Sequence, residues 1–142
     1  MVILDTNVIS EIMKASPSPR VMEWWSRQQS AELFTTTVTV AEILYGIEIL
    51  PKGKRRDSLR AEAEVAFMQD FAGRILPFDD EGAREFPAIA ASRRAQGRPI
   101  AALDAQIAAI AHSRRATVAT RNTVDFEGYG VPLVNPWQAS IV

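Results

Sequence analysis

Cysteine is absent from the 142 residues, and histidine occurs once. The first absence excludes disulfides, thiolate zinc sites and cysteine nucleophiles, and leaves the redox state of the compartment unread. A surplus of charge is missing too: 17 acidic residues face 16 basic ones, for a formal charge of −1. A general electrostatic coat for nucleic acid is thereby excluded, and any such contact must use local basic patches. No apolar run approaches the ~20 residues that cross a bilayer, and no basic region precedes an apolar core at the amino terminus. These absences predict a cytoplasmic protein without membrane contact. What remains is ordinary globular composition, 47% hydrophobic and 23% charged. A chain of this length fits one domain, residues 1–142, burying about two-thirds of the surface its unfolded form exposes.

Short apolar runs alternate with helical patterns throughout. Strands are expected at residues 2–4, 33–36, 74–78, 117–119 and 132–134, where apolar stretches are bounded by turn signals. Between them lie helices over residues 8–13, from Pro19 through Val21, Met22, Trp24 and Trp25, over 40–48, 57–71, from Asp79 or Asp80 to about Gln96, and over about 101–113. Pro87 predicts a kink or a later start in the fifth of these. Alternation of this kind predicts an α/β fold with an open parallel sheet of about five strands, right-handed crossovers and helices on both faces. Of the adjacent Trp24 and Trp25, either one packs inward while the other reaches a partner, or both lie on a broad apolar face.

Four acids stand where such a sheet concentrates function. Asp5 ends the first strand, and ligands gather outside the carboxyl ends of strands in open α/β sheets. Asn7 competes with it for capping the next helix, which leaves Asp5 free for another task. Glu42 follows Thr39 by three residues, so a capping box is the competing reading there. Asp104 sits in the first turn of the run Leu103 to Ala111, where the helix dipole favours an acid whatever its function. Asp125 closes the polar loop Thr120-Arg121-Asn122-Thr123-Val124 after the fourth strand. Clustered carboxylates either rise in pKa or are neutralised by a cation. Without thiolate or imidazole donors, the matching ions are magnesium or manganese, and their chemistry points to phosphodiester hydrolysis. Lys52, Lys54, Arg55 and Arg56 form a basic loop, and Arg121 a second positive point. Each is a site for a phosphate backbone or simply a solvated charge.

The segments Leu4-Asp5-Thr6-Asn7, Val40-Ala41-Glu42, Asp104 through Ala111 and Ala119 through Phe126 together resemble PIN-domain ribonucleases, and most of all the VapC-type toxins of toxin–antitoxin pairs in their FitB-like branch. They occur in the family's order, and the resemblance spans essentially the whole chain. It implies that Asp5, Glu42 and Asp104 bind Mg2+ or Mn2+, that Asp125 completes the acidic pocket, and that Thr6, Asn7, Thr120 and Asn122 support it. It further implies endonucleolytic cleavage of RNA, a homodimer, and a cognate antitoxin that brings DNA binding only indirectly, with Trp24 and Trp25 offered as part of its docking surface. Where the family tends to have a glycine before the fourth strand, this chain has Arg114-Arg115-Ala116. Two rival readings remain at this stage. One is a non-catalytic PIN-like module; the other is a haloacid-dehalogenase-like phosphatase, disfavoured because that chemistry needs a second aspartate where Asn7 stands.

Overall fold

A computed structural model describes residues 1–138, so the last four residues of the expected 1–142 domain lie outside the described residues. The five strands are β1 (Val2–Leu4), β2 (Leu33–Thr36), β3 (Ile75–Leu76), β4 (Thr117–Ala119) and β5 (Leu133–Val134). They form one parallel sheet in the order β3-β2-β1-β4-β5. The helices are α1 (Thr6–Ile12), α2 (Pro19–Ser26), α3 (Thr37–Glu48), α4 (Lys54–Val65), α5 (Asp80–Ala95), α6 (Ala102–Arg114) and α7 (Thr123–Phe126). After β1 the chain steps to β2 on one side, and after β3 it crosses to β4 on the other. The strand order therefore reverses between β1 and β4, and the carboxyl ends of these two strands open the crevice where α/β sheets take ligands.

Pleating sends neighbouring residues of one strand into different cores. Ile3 and Val118 enter one core with Ile89, Ile107, Ile110 and Phe126, while Leu4 and Ala119 enter the other with Val8, Ile9, Trp24, Ile47 and Phe67. Being buried on both faces explains why the central strands are short, continuous apolar runs. In α6, Ala105, Ala108, Ala109 and Ala111 are all buried, and their small side chains let the helix backbone approach the sheet and α5 closely. This packing holds the first turn of α6, with Asp104, at the carboxyl edge of the sheet.

Several boundaries differ from the sequence-based expectation. Helix α1 starts at Thr6 with Asp5 as its N-cap, so Asn7 is inside the first turn and caps nothing. Helix α3 is capped by Thr36, whose hydroxyl accepts from the Thr39 amide at 3.1 Å. Glu42 lies six residues beyond that cap, out of reach of its amide, and the capping box is absent. Lys54, Arg55 and Arg56 open α4, leaving only Lys52 in the preceding loop. A π-helical segment, Ala66–Asp70, continues α4 toward Phe71. Helix α5 runs through Pro87 without interruption, since a proline forgoes one hydrogen bond without ending a helix whose face is held by packing. Trp24 is buried, whereas Trp25 is half-buried with its ring edge-on to Phe71, centroids 6.4 Å apart; Trp24 thus drops out of the expected docking surface. Arg115 ends α6 in the left-handed conformation, with φ 53°. That conformation favours glycine and costs another residue roughly 1–2 kcal/mol.

Candidate metal centre

Asp5 leaves β1 at the crevice and is 4% exposed. Its two oxygens are already engaged: the Thr6 amide donates to Oδ1 and the Thr120 hydroxyl to Oδ2, each at 2.8 Å. Thr120 follows β4 directly, so strand pairing Leu4↔Ala119 sets this contact. The Thr120 hydroxyl also accepts from the Asn122 amide at 3.0 Å and from Asn7 Nδ2 at 3.3 Å. Asn7 in turn accepts the Arg121 amide through Oδ1 at 3.3 Å. The ends of β1 and β4 are thereby laced together around one carboxylate. Asp5 caps α1 and faces the crevice at once, so the two readings weighed for it do not compete.

Glu42 reaches the same place from α3. Thr6 Oγ1 donates to Glu42 Oε1 at 2.8 Å and lies 3.0 Å from Thr39 Oγ1. Thr36 Oγ1 donates to Thr39 Oγ1 at 3.5 Å. Each hydroxyl has one proton to give, so the chain is satisfied in one direction, from Thr36 through Thr39 and Thr6 to Glu42. Among the described residues, the other Glu42 oxygen accepts no hydrogen bond.

Asp104 completes the group from the first turn of α6, where Ala101 offers no side-chain cap. Burial, and then the charges of Asp5, Glu42 and Asp125, push its carboxyl from 3.8 up to about 6. Burial raises Asp5 as well, with the Glu42 and Asp125 charges adding to it against the lowering by Thr120 and Thr6. Mutual repulsion of this kind is relieved by a cation.

Asp5, Glu42 and Asp104 line one cavity of about 450 Å³ together with Thr6, Asn7, Arg121 and Asn122. Asp125 does not line it. It sits on α7, exposed, and acts on the pocket through its charge. Residues 123–126 form a helical turn where a loop was expected. Arg121 stands at the rim, exposed, with its guanidinium 5.0 Å above the Trp137 ring. Arg55 is exposed on a larger neighbouring groove of about 680 Å³ that shares Thr6 and Glu42 with the acidic cavity, and Met13, Ile43, Ile47 and Leu59 supply its apolar wall. Lys52 and Lys54 are exposed and line neither.

The sequence reading missed Glu11, which also borders the acidic cavity and is buried. Its oxygens are taken by Lys14 Nζ and the Ser18 amide, both at 3.1 Å. The Lys14 contact holds its carboxyl below the ordinary range, so it belongs to an internal ion pair rather than to the repelling set. A buried acid on the apolar face of a short helix, three residues before a lysine, was the available signal.

Among the described residues, no three acidic or histidine side chains are gathered tightly enough to enclose an ion. The all-oxygen set fits a divalent cation that keeps several of its waters and binds through one or two carboxylates. Thr120→Val tests how the site is held. It removes the donor to Asp5 and orphans the Asn122 amide, and is expected to cost about 1–3 kcal/mol, read as a lower urea midpoint with unchanged slope.

The PIN domain family model matches residues 2–130. Plasmid stability protein StbB of Pseudomonas syringae pv. tomato is 43% identical over 139 residues, covering 98% of this chain and 100% of its own. VapC ribonuclease Y4jK of Sinorhizobium fredii is 39% identical, over 97% and 99% of the two chains. Toxin FitB of Neisseria gonorrhoeae is also 39% identical, over 96% and 99%, and a solved structure of FitAB bound to an IR36 DNA fragment has a TM-score of 0.92 at 38% identity, covering 99% of this chain and 98% of its own. A full-length match of sequence and fold, with the acids placed at the switch point of the sheet, puts this chain in the PIN-domain family, among its VapC- and FitB-type toxins.

Proposed function

We infer that the chain is a divalent-metal-dependent endoribonuclease, the toxin of a toxin–antitoxin pair. The observation that carries this reading is the meeting of Asp5, Glu42 and Asp104, from three separate elements, in one cavity at the reversal of strand order. Asp5 and Asp104 would hold Mg2+ or Mn2+, with Glu42 or Asp125 orienting the attacking water or a second ion. A bound ion of this type polarises a phosphodiester oxygen and makes water acidic enough to attack at neutral pH. The chain's own residues do the rest. Thr6 and Thr120 hold the carboxylates of Glu42 and Asp5 before substrate arrives, and Glu42 would take the proton of the attacking water. As the new phosphorus–oxygen bond forms, the bond to the leaving ribose oxygen breaks, and that oxygen acquires a proton from solvent.

Arg121 would be the first candidate for a phosphate contact, because among the basic positions expected to contact RNA it alone borders the acidic cavity. Arg121→Ala is expected to weaken RNA binding about tenfold at low salt and to reduce the slope of log affinity against log salt by about 0.7. Fluorescence anisotropy with a chelated, uncleavable mixture checks it, and an unchanged slope would remove Arg121 from the interface.

An antitoxin segment with an apolar face fits the groove beside the carboxylates, and Trp25 borders a further hollow with Met13 and Phe71. DNA would then be met only through that partner. Exposed Tyr45 and Leu103 flank an apolar hollow between α3 and α6, which is where a second copy would pack in a homodimer. No helix of the described residues is long and apolar enough to cross a membrane, in keeping with action on RNA in the cytoplasm. Induced expression in a bacterial host tests the toxin reading: growth should stop with the wild-type chain and continue with Asp104→Ala at equal protein level. Equal growth of both, with RNA intact, would contradict it.

A further inference from the structure

Arg93 is 3% exposed and, among the described residues, finds no carboxylate as a hydrogen-bond partner. A buried guanidinium is costly unless its donors are satisfied, and here Nε and Nη1 donate to backbone carbonyls. Nε donates to the Arg98 carbonyl at 2.7 Å, and Nη1 lies within donating distance of the carbonyls of Val124, Asp125 and Glu127 at 3.2, 2.8 and 3.0 Å. The guanidinium carbon is 5.9 Å from the centre of the Tyr129 ring. These partners come from two places. Val124 and Asp125 belong to α7, a single turn of four residues too short to hold itself, and Glu127 follows it directly. Arg98 belongs to the turn that leads into α6 and Asp104. One side chain of α5 therefore joins the segment that carries Asp125 to the segment that carries Asp104.

We propose that Arg93 is a positioning residue of the nuclease site, acting through the carbonyls of α7 and of Arg98 to hold Asp125 at a set place beside Asp104. The cation at the carboxyl end of α7 answers the unpaired carbonyls that any helix leaves there. Arg98 reinforces the clamp from outside, with Nη2 3.1 Å from the Val124 carbonyl. Lysine cannot replace this function fully, because its donors radiate from one point and do not span carbonyls on two segments.

The proposal rests on the assignment of the acids to a metal site, and its test separates the two. Manganese affinity is measured from the resonance signal of free Mn2+ in wild type, Arg93→Met, Arg93→Lys, Asp125→Asn and the double variant Arg93→Met with Asp125→Asn, with folding followed by circular dichroism. Arg93→Lys retains a buried cation and covers the case in which Arg93→Met fails to fold. Outer residues that orient metal ligands typically cost about 10–100-fold when removed. We expect a loss of about tenfold in Arg93→Met, a smaller loss in Arg93→Lys, and no loss in the double variant beyond that of Asp125→Asn alone, because the two act as one unit. Turnover of RNA should fall in the same order at nearly constant KM. Additive losses in the double variant would overturn the proposal, since Arg93 would then act independently of Asp125. Wild-type affinity in a folded Arg93→Lys and Arg93→Met pair would overturn it while leaving the metal site standing, whereas no manganese binding by wild type would overturn both.

Discussion

Asp5→Asn is expected to lower RNA cleavage about a thousandfold. The transition state of phosphodiester hydrolysis gathers negative charge, a correctly held cation is worth several kcal/mol there, and each 1.36 kcal/mol is tenfold in rate. Asparagine keeps the shape of Asp5 but not its charge. Its single carbonyl can accept from only one of the two donors that now flank the carboxylate, the Thr6 amide and the Thr120 hydroxyl. The amide's NH2 must then face either the other donor or the cation. Initial rates at saturating manganese measure the effect, and cleavage within a factor of about three of wild type would remove Asp5 from the site.

Asp104→Asn should make the metal-free protein more stable, and the sign follows from the direction of its shift. The Asp104 carboxyl is raised to about 6 in the folded chain from an ordinary 3.8, so the folded state holds its proton more tightly than the unfolded state does. Ionisation then costs stability progressively as pH rises between those values, and the full cost is present above about pH 6. Two pKa units correspond to about 3 kcal/mol. Partial solvent contact reduces this to about 1–2 kcal/mol. Removing the charge recovers that amount at pH 8 in chelator and nothing below about pH 4. Manganese reverses the order, because at a hundredfold excess over its dissociation constant it stabilises wild type by about 2.7 kcal/mol and the variant by far less. Thermal melts at pH 4 and pH 8, with and without manganese, read both effects. Equal wild-type and variant stability in chelator at pH 8 would show that burial and the neighbouring charges do not destabilise the Asp104 carboxylate.

The sheet was legible in the sequence because its central strands are buried on both faces and read as unbroken apolar runs, as in Val2 to Leu4. Asp5 was legible for the same reason, since the end of such a run is a fixed place in the fold. Glu42 was harder. Thr35, Thr36, Thr37 and Thr39 offer several caps in a row, and what selects Thr36 is the pairing of Thr36 with Leu76, which ends β2 there. Once the cap moves back three residues, Glu42 cannot serve it and turns to Thr6. Neither contact is local, and no window of sequence contains both. Asp125 was placed in a loop because residues 120–125 are almost wholly polar; the helical turn over residues 123–126 accepts hydrogen bonds from Arg93, some thirty residues away. Arg93 itself occupies the apolar period of α5, four residues after Ile89, which was a signal for a buried cation that periodicity alone could not assign to a partner.

Purified protein incubated with a mixed RNA pool, in manganese or magnesium and then in chelator, beside an equally folded Asp104→Ala control, is the most direct test of the metal-dependent nuclease. Cleavage by wild type with metal, lost in chelator and in the variant alike, is the predicted result. Cleavage that persists in chelator or in Asp104→Ala, or a folded wild type that binds no metal and leaves all RNA intact, would contradict it, the last outcome being that of a non-catalytic module.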